Sequence, residues 1–241
     1  MSYQNPTFVQ SAIGVEYDTN PVTINLGSMP TNGNLLILTF AAVSSGKNPR
    51  VSSISQTNVT WSLVINDGTN GGGETTSEIW KGVVGASAGT QITVTQNTSG
   101  TGSNIVSVAA VSEWRGLSGN VDQTNTNQVG SGTSVTSPTT GTTTQTVELV
   151  IASMAPYYTA SFSCGSPTNS FTQVYGGTSY NNGGSYWETN NYLYYIANAT
   201  GQFSTTATAS PSQGGYNGCI ATFFAAPTSA APITYVQHWL W

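Results

Sequence analysis

The sequence predicts an all-β protein built from two tandem antiparallel β-sandwich repeats of the jelly-roll or immunoglobulin-like kind. Helix signals are nearly absent, and short runs of alternating apolar and polar residues recur between Gly, Asn, Pro and Ser clusters. The same order of apolar runs also occurs twice along the chain, which is the sign of a duplicated unit. Seven or eight short strands in each copy favour a sandwich of two sheets.

The duplication is visible in matching apolar runs. Leu35–Ile37 falls on Leu149–Ile151, and Ile79–Trp80 falls on Leu193–Tyr194, both at a shift of 114 residues. Three shorter matches occur at shifts of 110 to 113: Val22–Thr23 with Val135–Thr136, Trp61 with Phe171, and Ile92 with Phe203. We therefore expect one repeat at 8–116, a second at 117–227 and a C-terminal tail at 228–241. The repeats form either two separate sandwiches or one continuous core.

The strands of the first repeat follow from alternation and turn signals. Val59, Trp61, Leu63 and Ile65 share one face, and Asn66-Asp67-Gly68 predicts a tight turn after them. The expected strands of the first repeat lie near 9–17, 22–26, 34–43, 50–65 (two strands), 76–84, 90–96 and 105–114. In the second repeat, 125–144 resembles a Ser/Thr-rich linker, but its match to the first repeat predicts the first two strands.

The low charge of the chain excludes several classes of function. Only 5% of residues are charged, the net charge is −5, and the basic residues are Lys47, Arg50, Lys81 and Arg115. Four cations cannot neutralise a phosphate backbone or hold an anionic membrane surface, so we expect no nucleic-acid partner. No apolar run is long enough to span a bilayer, so no membrane insertion is expected. Few titratable groups suit an extracellular or virion-surface protein, including one in acidic surroundings.

The C-terminal tail is the strongest interaction signal. Pro227 and Pro232 bound a stiff linker, and ITYVQHWLW follows it. In a strand, one face would carry most of the large apolar side chains and the other face the rest: Ile233, Tyr235, Trp239 and Trp241, then Val236 and Leu240. Leaving this surface in water costs about 25 cal/mol per Å². The tail is therefore expected to dock, either on its own subunit or on a neighbouring copy by strand addition.

Residues that could carry chemistry are few, and we expect no enzyme, cofactor or metal. His238 is the single histidine and lies in the tail, with no neighbour that would orient it for catalysis. Carboxylates that a glycosidase could use are Glu74 with Glu78, Glu16 with Asp18, and singly Glu113, Asp122, Glu148 and Glu188. Asp67, Asn70 and Glu74 offer oxygen ligands but lack the spacing of a calcium loop. Cys164 and Cys219 form either one disulfide or two buried free thiols.

Aromatic residues in loops of the second repeat are a candidate ligand site. Tyr175, Tyr180, Tyr186 and Trp187 alternate with Gly, Ser and Asn, the composition of adaptable recognition loops. Exposed rings of this kind stack on sugar faces, so glycans are candidate partners. The alternative is that these rings are core and strand-edge residues.

Five segments of the first repeat resemble a repeat of bacterial surface and phage-associated β-sandwich proteins. They are GNLLILTFAAV, VSSISQTNVTWSLV, SEIWKGVV, TQITVT and VSVAAVSEWRGL. The second repeat departs from the pattern, because Phe223-Phe224-Ala225 replaces its Trp-Arg-Gly ending. The resemblance implies a non-catalytic module of an extracellular or virion protein. The tandem arrangement also resembles the double jelly roll of some viral capsid proteins, at the level of fold alone.

These observations predict a non-enzymatic structural subunit of an extracellular assembly, such as a virion surface, capsid, tail or filament. Its partners would be copies of itself, joined partly through the C-terminal strand. The alternative is a carbohydrate-binding or adhesion module that uses the aromatic loops of the second repeat.

Overall fold

Every regular element of the structure is a β-strand, which confirms the predicted all-β sandwich fold. The structure is a computed structural model that describes residues 2–44, 49–67, 75–97, 105–181 and 187–228. Eight strands precede Gly116: β1 (Thr7–Tyr17), β2 (Val22–Asn25), β3 (Leu35–Val43), β4 (Arg50–Ser55), β5 (Val59–Asn66), β6 (Thr75–Val84), β7 (Gln91–Asn97) and β8 (Val106–Arg115). Seven follow it: β9 (Leu117–Thr136), β10 (Glu148–Tyr158), β11 (Ser163–Gly165), β12 (Thr172–Tyr175), β13 (Trp187–Glu188), β14 (Asn191–Ala197) and β15 (Thr206–Ala225).

The first half of the chain is a sandwich of two antiparallel sheets. Its large sheet has the order β1-β8-β3-β6-β5, and its small sheet has the order β2-β7-β4. Buried side chains fill the space between the sheets, among them Leu36, Phe40 and Ile92. The close approach of β2 to β1 requires glycine at position 14, since a Cβ there would lie 2.5 Å from the carbonyl oxygen of Thr23.

The second half repeats the strand order of the first. Its large sheet runs β9-β15-β10-β14-β12, in which β9, β15, β10, β14 and β12 take the places of β1, β8, β3, β6 and β5. The start of β15 also pairs with β11 and with the end of β9, as β7 pairs with β4 and β2 in the first half. In the second half, β9 thus takes the places of both β1 and β2, and β15 takes the places of both β7 and β8. The tandem duplication remains a prediction that this shared order supports.

Sheet register refines one of the sequence matches. Thr39 pairs with Ile79 in the first large sheet, and Ser153, which lies 114 residues after Thr39, pairs with Tyr192 in the second. Position 79 therefore matches position 192 by register, whereas the apolar pattern matched it to Leu193. This one-residue difference matters because Tyr192 and Leu193 point to opposite faces of the sheet. Tyr192 packs in the same cluster as Ile79, whereas Leu193 packs in a different one.

The two large sheets pack face to face and share a central core. The buried side chains of this core come from both halves: Leu35, Ile37, Ile79, Ala110, Trp114, Leu117, Leu149, Ile151, Tyr192, Cys219, Ala221 and Phe223. Each half also keeps a core of its own on the outer face of its large sheet. The structure therefore combines the two arrangements that the sequence left open.

Hydrogen bonds across the central core follow an approximate two-fold pattern. Ser77 Oγ lies 3.0 Å from Ser153 Oγ, and Asn190 Nδ2 donates to Thr39 Oγ1 at 2.9 Å. Thr39 and Ser153 occupy matching positions in β3 and β10, and Ser77 and Asn190 are related by the 113-residue shift that relates Ile79 to Tyr192. In an isologous interface, a contact from one half to the other is matched by the equivalent contact in the opposite direction. The halves thus face each other as the subunits of a symmetric dimer would.

The two ends of the described chain lie side by side. Gln4 N donates to Ala226 O at 2.8 Å, and Thr228 N donates to Ser2 O at 3.0 Å. Ala226 N also donates to the oxygen of Gly116, at the junction of the two halves. Residues 226–228 therefore continue from β15 beyond the end of the large sheets, where they lie beside residues 2–4.

Candidate functional site

The aromatic loop of the second half forms part of a tyrosine cluster at one end of the interface between the halves. Tyr175 and Tyr180 are half-buried, their ring centroids lie 6.3 Å apart, and their hydroxyl groups share a hydrogen bond. Both rings pack against Val43, Val106 and Val108 of the first half. Trp187 packs on the outer core of the second half, and Tyr186 lies outside the described residues.

Tyr17 of the first half reaches the same cluster, and sequence reasoning did not connect it. Ile13 and Val15 pack in this cluster, and Tyr17 follows them on the same face of β1 with 37% of its surface exposed. Burial and the nearby Tyr180 raise the pKa of the Tyr17 hydroxyl. Alternation along β1 could have indicated the shared face, but not that the second half covers it. The arrangement offers aromatic surface and hydroxyl groups, with one exposed ring.

A buried acid lies beside this cluster. Glu188 is fully buried, and neither carboxyl oxygen accepts a well-formed hydrogen bond from the described residues, although the main chain of Thr189 lies close enough to favour the ionised form. Burial raises the pKa of Glu188 well above its usual value. It pairs with Tyr157 in the sheet, and Tyr157 packs in the tyrosine cluster. Because its environment favours the neutral acid, Glu188 is not a carboxylate poised to act as a base near neutral pH.

The acids near the oxygen-rich run 67–74, which lacks the spacing of a calcium loop, are used inside the fold. Asp67 Oδ1 accepts a hydrogen bond from Arg50 at 2.6 Å and another from the Ser77 amide at 3.2 Å. Glu78 accepts from Val51 N at 3.1 Å and from the Trp80 indole at 2.6 Å. Burial raises the pKa of Asp67 to about 6 and that of Glu78 to about 7, despite Arg50 nearby. Asn70 and Glu74 lie outside the described residues, and with them the rest of the oxygen-ligand set and the Glu74–Glu78 pair.

Glu113 and Glu148 hold equivalent loops closed in the two halves. Glu113 on β8 accepts from Thr31 N at 2.8 Å, and Glu148 at the start of β10 accepts from Gln145 N at 3.1 Å. Thr31 and Gln145 lie 114 residues apart, so they occupy matching positions in the two halves. The main-chain amide at this position donates to an acid in both halves, although β8 supplies the acid in the first half and β10 supplies it in the second. Burial raises the pKa of Glu148 to about 7. The pattern explains both acids as structural groups.

The remaining candidate carboxylates also bond locally. Glu16 accepts from the Thr19 hydroxyl at 2.6 Å, Asp18 accepts from Ile105 N at 2.6 Å, and Asp122 accepts from Thr144 N at 2.7 Å. Each bond fixes a loop residue next to a strand or to another loop residue. In the ranges the structure describes, no group of three or more His, Cys, Asp or Glu side chains could hold a metal ion.

The cysteines are two buried free thiols, so the disulfide alternative is wrong. Cys164 lies in the outer core of the second half, and Cys219 lies in the central core on the other face of the same sheet. Cys219 Sγ donates to Ser77 O at 3.2 Å, which ties it to the first half. Burial raises the pKa of Cys164 to about 12, as expected for an inert thiol.

The tail residues that the sequence singled out lie outside the described residues. They are His238 and the predicted docking side chains Ile233, Tyr235, Val236, Trp239, Leu240 and Trp241. Their docking therefore remains a prediction. The structure shows where the chain leads into the tail, because residues 226–228 lie beside residues 2–4.

The buried acids predict a protein that is more stable in mild acid than at neutral pH. Between about pH 4.5 and 7, folded Glu78, Glu148 and Glu188 keep protons that the unfolded chain releases, so the free energy of unfolding falls as pH rises. We therefore expect the melting temperature to be higher at pH 5 than at pH 8 by at least about 5 °C, since each pKa unit of such a shift corresponds to about 1.4 kcal/mol. Differential scanning calorimetry measures this.

One substitution and a neutral control test the assignment to buried acids. Glu188→Gln removes a buried titrating group, so it should reduce the pH dependence and raise stability at pH 8. Met29→Ala, at an exposed position without a titrating group, should leave the pH dependence unchanged. A melting temperature that falls steadily from pH 7 to pH 4 would contradict the assignment.

Comparison with known proteins identifies no relative. No protein-family model, curated protein or solved structure matches this chain. In the part of the chain that is described, no helix is long and apolar enough to cross a membrane. The resemblance to surface and phage-associated modules therefore remains a prediction.

Proposed function

We propose that this protein is a non-enzymatic structural subunit of an extracellular or virion assembly. Copies of the chain associate with one another, partly through the C-terminal strand. The proposal rests on the role of buried acids in the fold. Four of them each accept a hydrogen bond from a main-chain amide: Asp67, Glu78, Glu113 and Glu148. Groups that could perform catalysis instead hold loops and strand ends in place.

The packing of the two halves supports a role based on shape. Trp114, Tyr192 and Phe223 are fully buried between the large sheets, so relative movement of the halves would break the largest core contacts. A block of this kind suits a building unit that must keep its form. Its surface carries few charges, which leaves little long-range repulsion between copies of the chain.

The oligomeric state of the whole chain tests the proposal. Light scattering on the purified full-length protein should give a mass of several chains or a polymer that grows with concentration. A monomer at all concentrations up to about 10 mg/ml would contradict it, since this range far exceeds the Kd of a typical specific interface.

A glycan-binding module remains the second candidate, because Tyr17 adds an exposed ring beside Tyr175 and Tyr180. On this alternative, Tyr17→Ala or Tyr180→Ala should lower binding to a glycan array at least tenfold, and the exposed Met29→Ala should not. An array without hits, or binding that both aromatic substitutions leave unchanged, rejects this candidate.

A further inference from the structure

The outer edge of β5 is an open site for an added strand. Among the strands that the structure describes, β5 lies at the end of its sheet and pairs with β6 alone. Beyond that pairing, one main-chain hydrogen bond is found for β5 among the described residues, from Val59 to Gln56 at its first residue. Leu63 on β5 and Val83 on β6 are 42% and 50% exposed beside this edge. An eight-residue strand with unpaired amides and apolar neighbours is a template for another strand.

The other long edges are engaged by the chain itself. Asn125 and Asn127 of β9 donate to the carbonyl groups of Thr139 and Thr136, so 136–144 lies along that strand. The side chain of Gln10 on β1 makes three hydrogen bonds with Ser28. The remaining edge strands β2, β4, β11 and β12 have three to six residues. Among the described residues, β5 is therefore the longest edge strand that shows no side-chain hydrogen bond to a neighbouring segment.

The tail has the length and pattern that this edge requires. Residues 233–241 extended would span about 30 Å, enough to pair with all eight residues of β5. Apolar side chains on both faces of the tail match a site flanked by Leu63 on one face of the sheet and Val83 on the other. Main-chain bonds would supply affinity and these side chains specificity.

The exit of the tail favours a neighbouring copy over its own subunit. Residues 226–228 pair with residues 2–4 beyond the end of the large sheets, so the chain leaves the sandwich there. Pro227 and Pro232 then bound a short, stiff linker. To reach its own β5 the tail would have to reverse its direction within this linker.

We propose that residues 233–241 of one copy add as a strand to the free edge of β5 in the next copy. This inference rests on the proposed function, because it names the acceptor for the assembly tail. A tail and an acceptor on one rigid block form a head-to-tail contact, which produces rings or filaments.

A donor and acceptor mixture tests the contact. One chain carries Leu63→Lys, which places a cation at the edge, and the other ends at Thr228 and lacks the tail. Each should be monomeric alone, and the mixture should form a one-to-one complex by light scattering. Val129→Lys, a matched change on β9 at 41% exposure, should leave assembly of the full chain intact.

The outcomes separate the acceptor from the proposed function. If truncation abolishes assembly and Leu63→Lys does not, the tail mediates assembly but β5 is not its acceptor. If both single variants are monomeric and never complement each other, docking in trans is rejected. Hydrogen exchange supplies an independent readout, since binding of a synthetic 229–241 peptide to the truncated chain should slow exchange across Val59–Asn66. Protection confined to β1 or β9 would overturn the assignment.

Discussion

Truncation of the chain after Thr228 is expected to convert the assembly into monomers and to leave the fold intact. The cut keeps the pairing of 226–228 with 2–4, and it removes the apolar side chains predicted to dock on a neighbour. Several buried aromatic anchors supply most of the energy of an interface, so their loss should weaken association by at least a hundredfold. Light scattering measures the mass, and circular dichroism with thermal melting measures the fold.

Two controls sharpen this experiment. Replacing Trp239, Leu240 and Trp241 with Ser should have the same effect as truncation, whereas Gln237→Ala should assemble normally. If the truncated chain assembles with the affinity of the full chain, the tail is not the assembly element. If it fails to fold, the tail is part of its own subunit.

The replacement Trp114→Ala is expected to cost 3–5 kcal/mol of unfolding free energy. Trp114 is fully buried in the central core, and its ring meets Phe8 and Tyr194 edge-on at centroid distances of 5.5 and 4.9 Å. Its indole also donates to Ser112 Oγ at 2.6 Å, and Ser112 bonds in turn to Tyr192 of the other half. The substitution therefore removes a large ring and disturbs a hydrogen bond between the halves.

Urea denaturation followed by circular dichroism and tyrosine fluorescence tests this. Because the halves share a core, the native chain should unfold in one transition at both probes. The exposed Met29→Ala should change stability by less than about 0.5 kcal/mol. Two separate transitions in the native protein, or a cost below about 1 kcal/mol for Trp114→Ala, would show that the central core does not couple the halves.

The strands of the first half could be predicted from the sequence because each carries a local signal. β5 shows alternation, and β3 and β8 show continuous apolar runs because both of their faces are buried. In the second half, the sequence predicted two strands within 125–144, whereas the structure has one long strand, β9, which ends at Thr136. The strand order could not be predicted, because it depends on pairing between distant segments.

The candidate sites depended on packing that no local pattern encodes. Tyr17 lies near Tyr180 because the two halves pack against each other, and β13, which carries the buried Glu188, lies against β3 and β8 of the first half. A strand pattern for Cys164 and Cys219 specifies a face of each strand, but not that these faces are opposite sides of one sheet. The free edge of β5 became visible once the sheet order was known.

The most direct measurement of the central claim is electron microscopy of the purified full-length protein at a resolution that traces strands. The account predicts a regular assembly in which residues 233–241 of one copy pair with Val59–Asn66 of the next. Dispersed single particles, with the tail folded back on its own sandwich, would contradict it.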